Sequence, residues 1–197
     1  MAPSPSSIAE LRHEIHGVVA TPPDPRYLDA CAVFNGLSQH RPELVVQPAD
    51  AGDVKTAFEY ARTESLPVSV RGGGHSVAGH AVGDGALALD LRRLSSVSVD
   101  PRQRRARVGG GATWRAVDPA CQLHGLALPG GTFDATGVGG LTLGGGIGFL
   151  LGAFGLTLDN LAAAEVVTPS GEILVASDED HRELFWALRG GAAISAS

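Results

Sequence analysis

The chain predicts an α+β fold, and three stretches carry that reading. A strand-helix-strand succession over residues 43–70 opens into a glycine turn, three short strands follow one another over residues 86–109, and a hairpin precedes a helix over residues 162–188. Ser7 is placed to cap a first helix through Ile8, Leu11 and Ile15, with Glu10 three residues on as its capping-box partner. Residues 22–26 form a proline-rich break. Residues 43–48 then read as a strand stopped by Pro48.

Asp50 or Asp53 caps the next helix, whose apolar positions are Val54, Ala57, Phe58 and Ala61. The strand over residues 66–70 completes a β-α-β unit, the kind that lays a helix over a parallel pair. Strands are expected at residues 86–91, 96–100 and 104–109, separated by short polar segments. A helix starts at Ala112, continues through Val117, Cys121 and Leu123 and ends at Gly125, with Pro119 interrupting its middle. Residues 162–168 and 172–176 pair around Pro169-Ser170-Gly171, and a last helix runs from Asp180 through Leu184, Phe185 and Leu188.

At 197 residues, 44% hydrophobic and 18% charged, the chain has the composition of one ordinary globular domain or two small lobes. A net charge of −6 argues against a nucleic-acid surface, and the arginines at 92, 93, 102, 104, 105 and 107 read as a solvated hairpin face. Cys31 and Cys121 form neither a disulfide framework nor a zinc pattern. With charged Glu10, Arg12 and Glu14 in place of an apolar signal core, a reducing, cytoplasmic setting is expected. Residues 137–158 carry no charge over a length that could span a bilayer, but eight glycines lie between Val138 and Leu158. They read as a buried loop that exposes backbone, and no membrane contact is expected.

Two glycine clusters carry the chemistry. Arg71-Gly72-Gly73-Gly74-His75-Ser76 leaves a strand and ends on a histidine, so backbone N–H groups are bared where a phosphate-bearing ligand could lie. The second runs from Gly137 to Gly148 and includes Gly139, Gly140, Gly144, Gly145 and Gly146. It has no Walker lysine, and no strand leads into Gly137 as a dinucleotide fingerprint requires. Composition alone leaves tight turns as the other explanation. Neither His75 with His80 nor His13 with His16 is completed by a carboxylate or cysteine set, so no metal site is expected.

These two clusters, with residues 154–160 and residues 184–191, form four ordered blocks. Together they resemble the FAD-binding domain of the berberine bridge enzyme-like oxidases, members of the vanillyl-alcohol-oxidase/PCMH-type flavoproteins. The resemblance covers residues 42–191 and implies a two-subdomain PCMH-type fold holding FAD between its α+β halves. Residues 1–41 then form an N-terminal helical extension and residues 192–197 a truncated tail. In the first block, Arg71, Gly72, Gly73, Gly74, His75 and Ser76 would wrap the pyrophosphate, with Gly79 and His80 just beyond. In the family the histidine at the position of His75 bonds through a ring nitrogen to the flavin 8α-methyl. The other reading of His75 is a neutral histidine hydrogen-bonded to a phosphate or a backbone carbonyl.

Further contacts implied by the resemblance are Pro129, Gly130 and Gly131, then Thr136, Gly137, Gly139, Gly140 and Thr142, then Gly144, Gly145, Gly146 and Gly148. Asp159, Asn160, Glu165 and Val167 match the segment that closes over the cofactor, although Asp159 is equally suited to cap a local turn. Phe133 stands where many relatives carry a second, cysteinyl flavin bond, so a single bond through His75 is expected; Cys121 reads as a core residue. The family continues into a substrate domain after its last motif, whereas here residues 192–197 follow and the sequence stops. The resemblance therefore implies truncation before that domain, which a separately encoded partner could supply. No catalytic base can be named: the tyrosines, Tyr27 and Tyr60, fall outside the matched loops.

The implied activity is an FAD-dependent oxidation of an alcohol, sugar or secondary-metabolite carbon, with hydride passing to flavin N5 and oxygen as acceptor. The alternative is a flavin-binding remnant without turnover.

Overall fold

The computed structural model describes residues 3–191, so the 192–197 tail lies outside the described residues. They form two units, residues 3–94 with Val167–Ile173, and Ser95–Val166 with residues 174–191. Helix and sheet are mixed in each, the α+β class that the sequence predicts.

A four-stranded sheet organises the first unit. Strands β1 (Val18–Ala20), β2 (Leu44–Gln47), β3 (Val68–Arg71) and β4 (Leu87–Asp90) lie in the order β1-β2-β4-β3. The sequence expects β2 and β3 to be neighbours; instead β4 lies between them, parallel to both, with Ala88 opposite Val45 on one side and Ser69 on the other. Burial gives the reason. All four β4 residues are buried, as a central parallel strand requires, while Val70 on β3 is exposed as an edge residue can be.

Side-chain alternation divides the apolar residues of the sheet. Leu44, Val46, Leu87 and Leu89 pack with Leu11 of α1 (Pro5–Glu14) and with Val54, Ala57 and Ala61 of α3 (Ala51–Thr63). Val45 and Ala88 meet Tyr27, Ala30 and Cys31 of α2 (Pro25–Cys31) on the other side. Helix α3 is capped by Asp50, whose carboxylate accepts from Asp53 N–H at 3.0 Å. Helix α1 is capped by Ser4 rather than Ser7, because Pro5 suits the first helical position; Ser7 Oγ instead donates to Tyr60 Oη and Glu64. The proline-rich break contains a helix start, with Asp24 capping α2 and Pro25 opening it.

In the second unit β5 (Val97–Asp100) and β6 (Arg105–Val108) pair antiparallel. Val97, Val99 and Val108 pack on Trp114, Val117 and Cys121, the buried face of α4 (Trp114–Gln122). That helix passes through Pro119, which removes one backbone donor without disturbing the face, and ends at Gln122, short of the expected Gly125, whose φ of +64° belongs to the turn that follows. The bond from Leu126 N–H to Cys121 C=O closes the end.

The segment expected as one loop over residues 137–158 is largely short helices: α5 (Val138–Leu143), α6 (Leu151–Phe154) and a 3-10 turn at Thr157–Asn160. Val138 and Thr142, four residues apart, are both buried, and that packing outweighs the helix cost of Gly139 and Gly140. The hairpin of β7 (Ala163–Val167) and β8 (Ile173–Ser177) turns at Gly171, and the last helix, α7 (Arg182–Leu188), starts two residues after Asp180. Among the described residues no helix is long and apolar enough to cross a membrane.

Candidate functional site

Strand β3 delivers Arg71 to the start of the first glycine loop and buries it. Its guanidinium lies against Gly74, where an added Cβ would come within 3.0 Å of Nε, and reaches across to the end of α2: Nη1 donates to the carbonyls of Asp29 (2.9 Å) and Ala30 (2.5 Å), and Nη2 to that of Ala32 (2.9 Å). The side chain thus satisfies carbonyls left open at the end of α2, while its Nε is buried with no partner among the described residues. Arg71 lies opposite Asp90 on β4, whose carboxylate takes Arg92 Nε at 2.9 and 3.0 Å, Arg92 Nη2 at 2.7 Å and Gln47 Nε2 at 2.9 Å. Burial pushes the Asp90 carboxyl upward, but the hydrogen bonds from Arg92 and Gln47 outweigh it and hold the group below the usual carboxylate range. Arg92 Nη2 also reaches Asp29 at 2.7 Å, so a charge network anchors α2 beside the loop.

Beyond Arg71 the backbone is left free. Among the described residues no protein acceptor takes the N–H groups of residues 72–76. Gly74, at φ +75°, turns the chain and gives its carbonyl to Phe34 N–H at 3.0 Å. The half-buried His75 ring stacks on Phe34, with centroids 4.7 Å apart and planes 19° from parallel, and no hydrogen bond among the described residues engages its nitrogens. Ser76 Oγ instead accepts from His80 N–H at 3.3 Å, and a Cβ at Gly79 would come within 2.7 Å of Ser38 Oγ. The His80 ring is exposed. The first unit therefore collects residues 71–80 into one loop backed by residues 29–38. Phe34 and Asn35, whose Nδ2 donates to the Val77 carbonyl at 2.7 Å, belong to that site and carry no motif that would announce them.

Elsewhere in this unit His16 Nδ1 lies 3.5 Å from Asp50 and 3.6 Å from Asp53, and one ligand atom from each falls within a 4.8 Å cluster. The two Asp53 oxygens already accept the N–H groups of His16, Gly17 and Ala49 at 2.8–2.9 Å. The cluster is a staple tying β1 to the start of α3.

In the second unit the glycine segments pack on one another. A Cβ at Gly148 would lie 1.7 Å from the Gly130 carbonyl oxygen, one at Gly130 would meet the Trp114 ring at 2.5 Å, and one at Gly146 would meet Thr157 Oγ1 at 2.2 Å. Gly131 is confined by Leu141 and Gly139 by the Gly110 carbonyl; at Gly140 a Cβ would meet nothing. Thr142 Oγ1 donates back to the Val138 carbonyl at 2.7 Å. Asp159 accepts from Leu156 N–H at 2.8 Å, and Asn160 donates to the carbonyls of Phe154 and Leu156, both at 2.9 Å. These side chains hold their own turn. Glu165 pairs with Arg107 at 3.2 Å, and Val167 packs on the apolar core of the first unit.

A cavity of about 180 Å³ lies beside α4, with Asp118, Cys121, Leu128, Gly131 and Phe149 among its walls. Burial pushes the Asp118 carboxyl and the Cys121 thiol upward, the latter reinforced by Asp118, and Cys121 is packed as the core residue expected. Phe133 is exposed.

Comparison with known proteins places this arrangement. Residues 42–177 match a family described as the FAD binding domain. The (R)-6-hydroxynicotine oxidase of Paenarthrobacter nicotinovorans is 39% identical over 176 residues, which cover 89% of this chain and 38% of the relative. The solved structure of BBE-like 1 from Physcomitrella patens superposes with a TM-score of 0.89 at 27% identity, over 93% of this chain and 40% of that one. The glucooligosaccharide oxidase of Acremonium strictum, described with a 6-S-cysteinyl, 8α-N1-histidyl FAD, superposes with a TM-score of 0.86 at 33% identity, over 94% of this chain and 39% of that one. The chain spans about two fifths of the length of these relatives.

Proposed function

The chain belongs to the berberine bridge enzyme-like FAD-linked oxidoreductases through their PCMH-type FAD binding domain, and from that premise we propose that it holds FAD covalently through a ring nitrogen of His75. The observation that carries this reading is the His75 ring, held on Phe34 with both nitrogens unengaged among the described residues, directly after a run of free backbone N–H groups. Those N–H groups, from Gly72 to Ser76, suit the pyrophosphate, since consecutive amides in a glycine loop form an anion-binding concavity. Arg71 contributes by fixing the strand end from which the loop departs.

When bound, FAD supplies a two-electron acceptor for a hydride from substrate. The neutral imidazole acts as the nucleophile in attachment. Attachment would form one N–C bond between His75 and the 8α carbon in place of one N–H and one C–H, with two protons released and two electrons taken up by dioxygen. Within this reading the chain supplies the cofactor half of an oxidase of an alcohol, sugar or secondary-metabolite carbon. In the second unit Gly130, Gly131, Gly139, Gly146 and Gly148 are confined by packing, and Gly140 is open.

The purified protein is expected to be yellow and to keep its flavin fluorescence on a denaturing gel. His75→Ala should release all of it while keeping the far-ultraviolet dichroism of the parent. Flavin lost to the supernatant from the unaltered protein would refute the bond.

A further inference from the structure

We propose that Phe34 is a positioning residue for flavin attachment, holding the His75 imidazole in the plane from which its nitrogen reaches the 8α carbon. This rests on the reading of His75 as the attachment residue. Three features of the fold point to it.

The Phe34 ring lies 4.7 Å from the His75 ring, nearly parallel to it. Such a stack restricts rotation of the imidazole about its bond to Cβ and leaves both nitrogens at its rim. Phe34 is also 69% exposed, far too open for a core residue, so its ring is there for the face it offers rather than for burial. Its backbone is fixed to the same loop, through the bond to the Gly74 carbonyl at 3.0 Å, and the neighbouring Asn35 holds Val77 at 2.7 Å. The segment carrying Phe34 is anchored in turn by Arg71, which grips the carbonyls of Asp29, Ala30 and Ala32. The loop thus fastens, through its own first residue, the strap that orients its histidine.

Attachment needs the lone pair of one nitrogen aimed at one carbon, and a freely turning ring spends little of its time so aimed. Removing the stack should therefore slow bond formation and leave the affinity for FAD unchanged, since the pyrophosphate is held by backbone.

The test uses the full chain produced in riboflavin-starved cells and then given FAD in air. Covalent flavin is followed over time by fluorescence on denaturing gels, and reversible binding by quenching of free FAD. Phe34→Ala should attach flavin about three- to tenfold more slowly, the range that the loss of one aromatic stack sets, with reversible binding intact. Phe34→Tyr should restore the rate. Should Phe34→Ala fold poorly, Phe34→Leu keeps apolar bulk without a ring face and must show the same slowing. Attachment by Phe34→Leu or Phe34→Ala at the parent rate, or a Phe34→Tyr as slow as Phe34→Ala, overturns the role of Phe34 while leaving His75 in place. Absence of covalent flavin in the parent overturns both.

Discussion

In the first unit the backbone N–H groups of residues 72–76 meet no acceptor among the described residues, and a buried arginine holds the loop from behind. In the second unit the glycines at 130, 146 and 148 sit where a single added carbon would strike Trp114, Thr157 or a carbonyl oxygen. The two clusters share a composition and differ in what surrounds them: in the first, carbons added at Gly74 and Gly79 would meet the side chains of Arg71 and Ser38, whereas in the second the glycines press on backbone and on the Trp114 ring. Glycine richness alone therefore does not mark a binding loop. What an added carbon would meet, a movable side chain or fixed backbone and ring, separates the two.

Alanine substitution tests that contrast most severely at Gly148. Its Cβ would lie 1.7 Å from a backbone oxygen, so the two segments must separate, at a cost of about 4 kcal/mol or more in urea denaturation. A parent-like midpoint for Gly148→Ala would break the packing account of the second cluster.

Next in size is Asp90→Asn, which strikes the network behind the first loop. It leaves Arg92 without its buried counter-charge and should cost about 3 kcal/mol. The Asp90 carboxyl is held low in the fold, so the stability it contributes is complete above the unfolded value of about 3.9 and is lost as pH falls through the folded value. The acid limb of stability should accordingly be shallower in Asp90→Asn than in the parent. Equal acid slopes would remove Asp90 from the account.

The smallest effect belongs to Gly140→Ala. Nothing in the protein meets the new methyl, and alanine favours helix α5, so stability should stay within about 1 kcal/mol of the parent or rise. A fall in bound flavin at unchanged stability would assign that space to the ligand and make Gly140 the exception within its cluster.

Much of the first unit was legible because its signals are local. The 3.6 spacing of Val54, Ala57 and Ala61 behind Asp50 gave α3, and apolar runs closed by proline or aspartate gave β2 and β4. Strand β1 escaped because three residues carry no period and its pairing with β2 is non-local. Helix α2 did announce itself through Asp24-Pro25, a cap followed by a suitable first residue, but the neighbouring prolines masked it. The place of β4 between β2 and β3 is a matter of sheet order, which no local pattern encodes. At the site, His75 stood out by its place after the glycines, whereas Phe34 lies in an aperiodic stretch and meets it only through the fold. Arg71 enters the ligand loop through the family resemblance, and the bonds of its guanidinium to α2 depend on tertiary structure alone.

Trp114, pressed against Gly130 with its indole N–H buried and without an acceptor, also makes this chain a divided optical reporter. The chain has two tryptophans, Trp114 and Trp186, both in the second unit, and two tyrosines, Tyr27 and Tyr60, both in the first. Trp186 is exposed on α7, so the buried-indole part of the emission follows Trp114 and the glycines packed on it, while phenol absorbance follows the unit that carries His75, and one unlabelled sample can show which half loosens first.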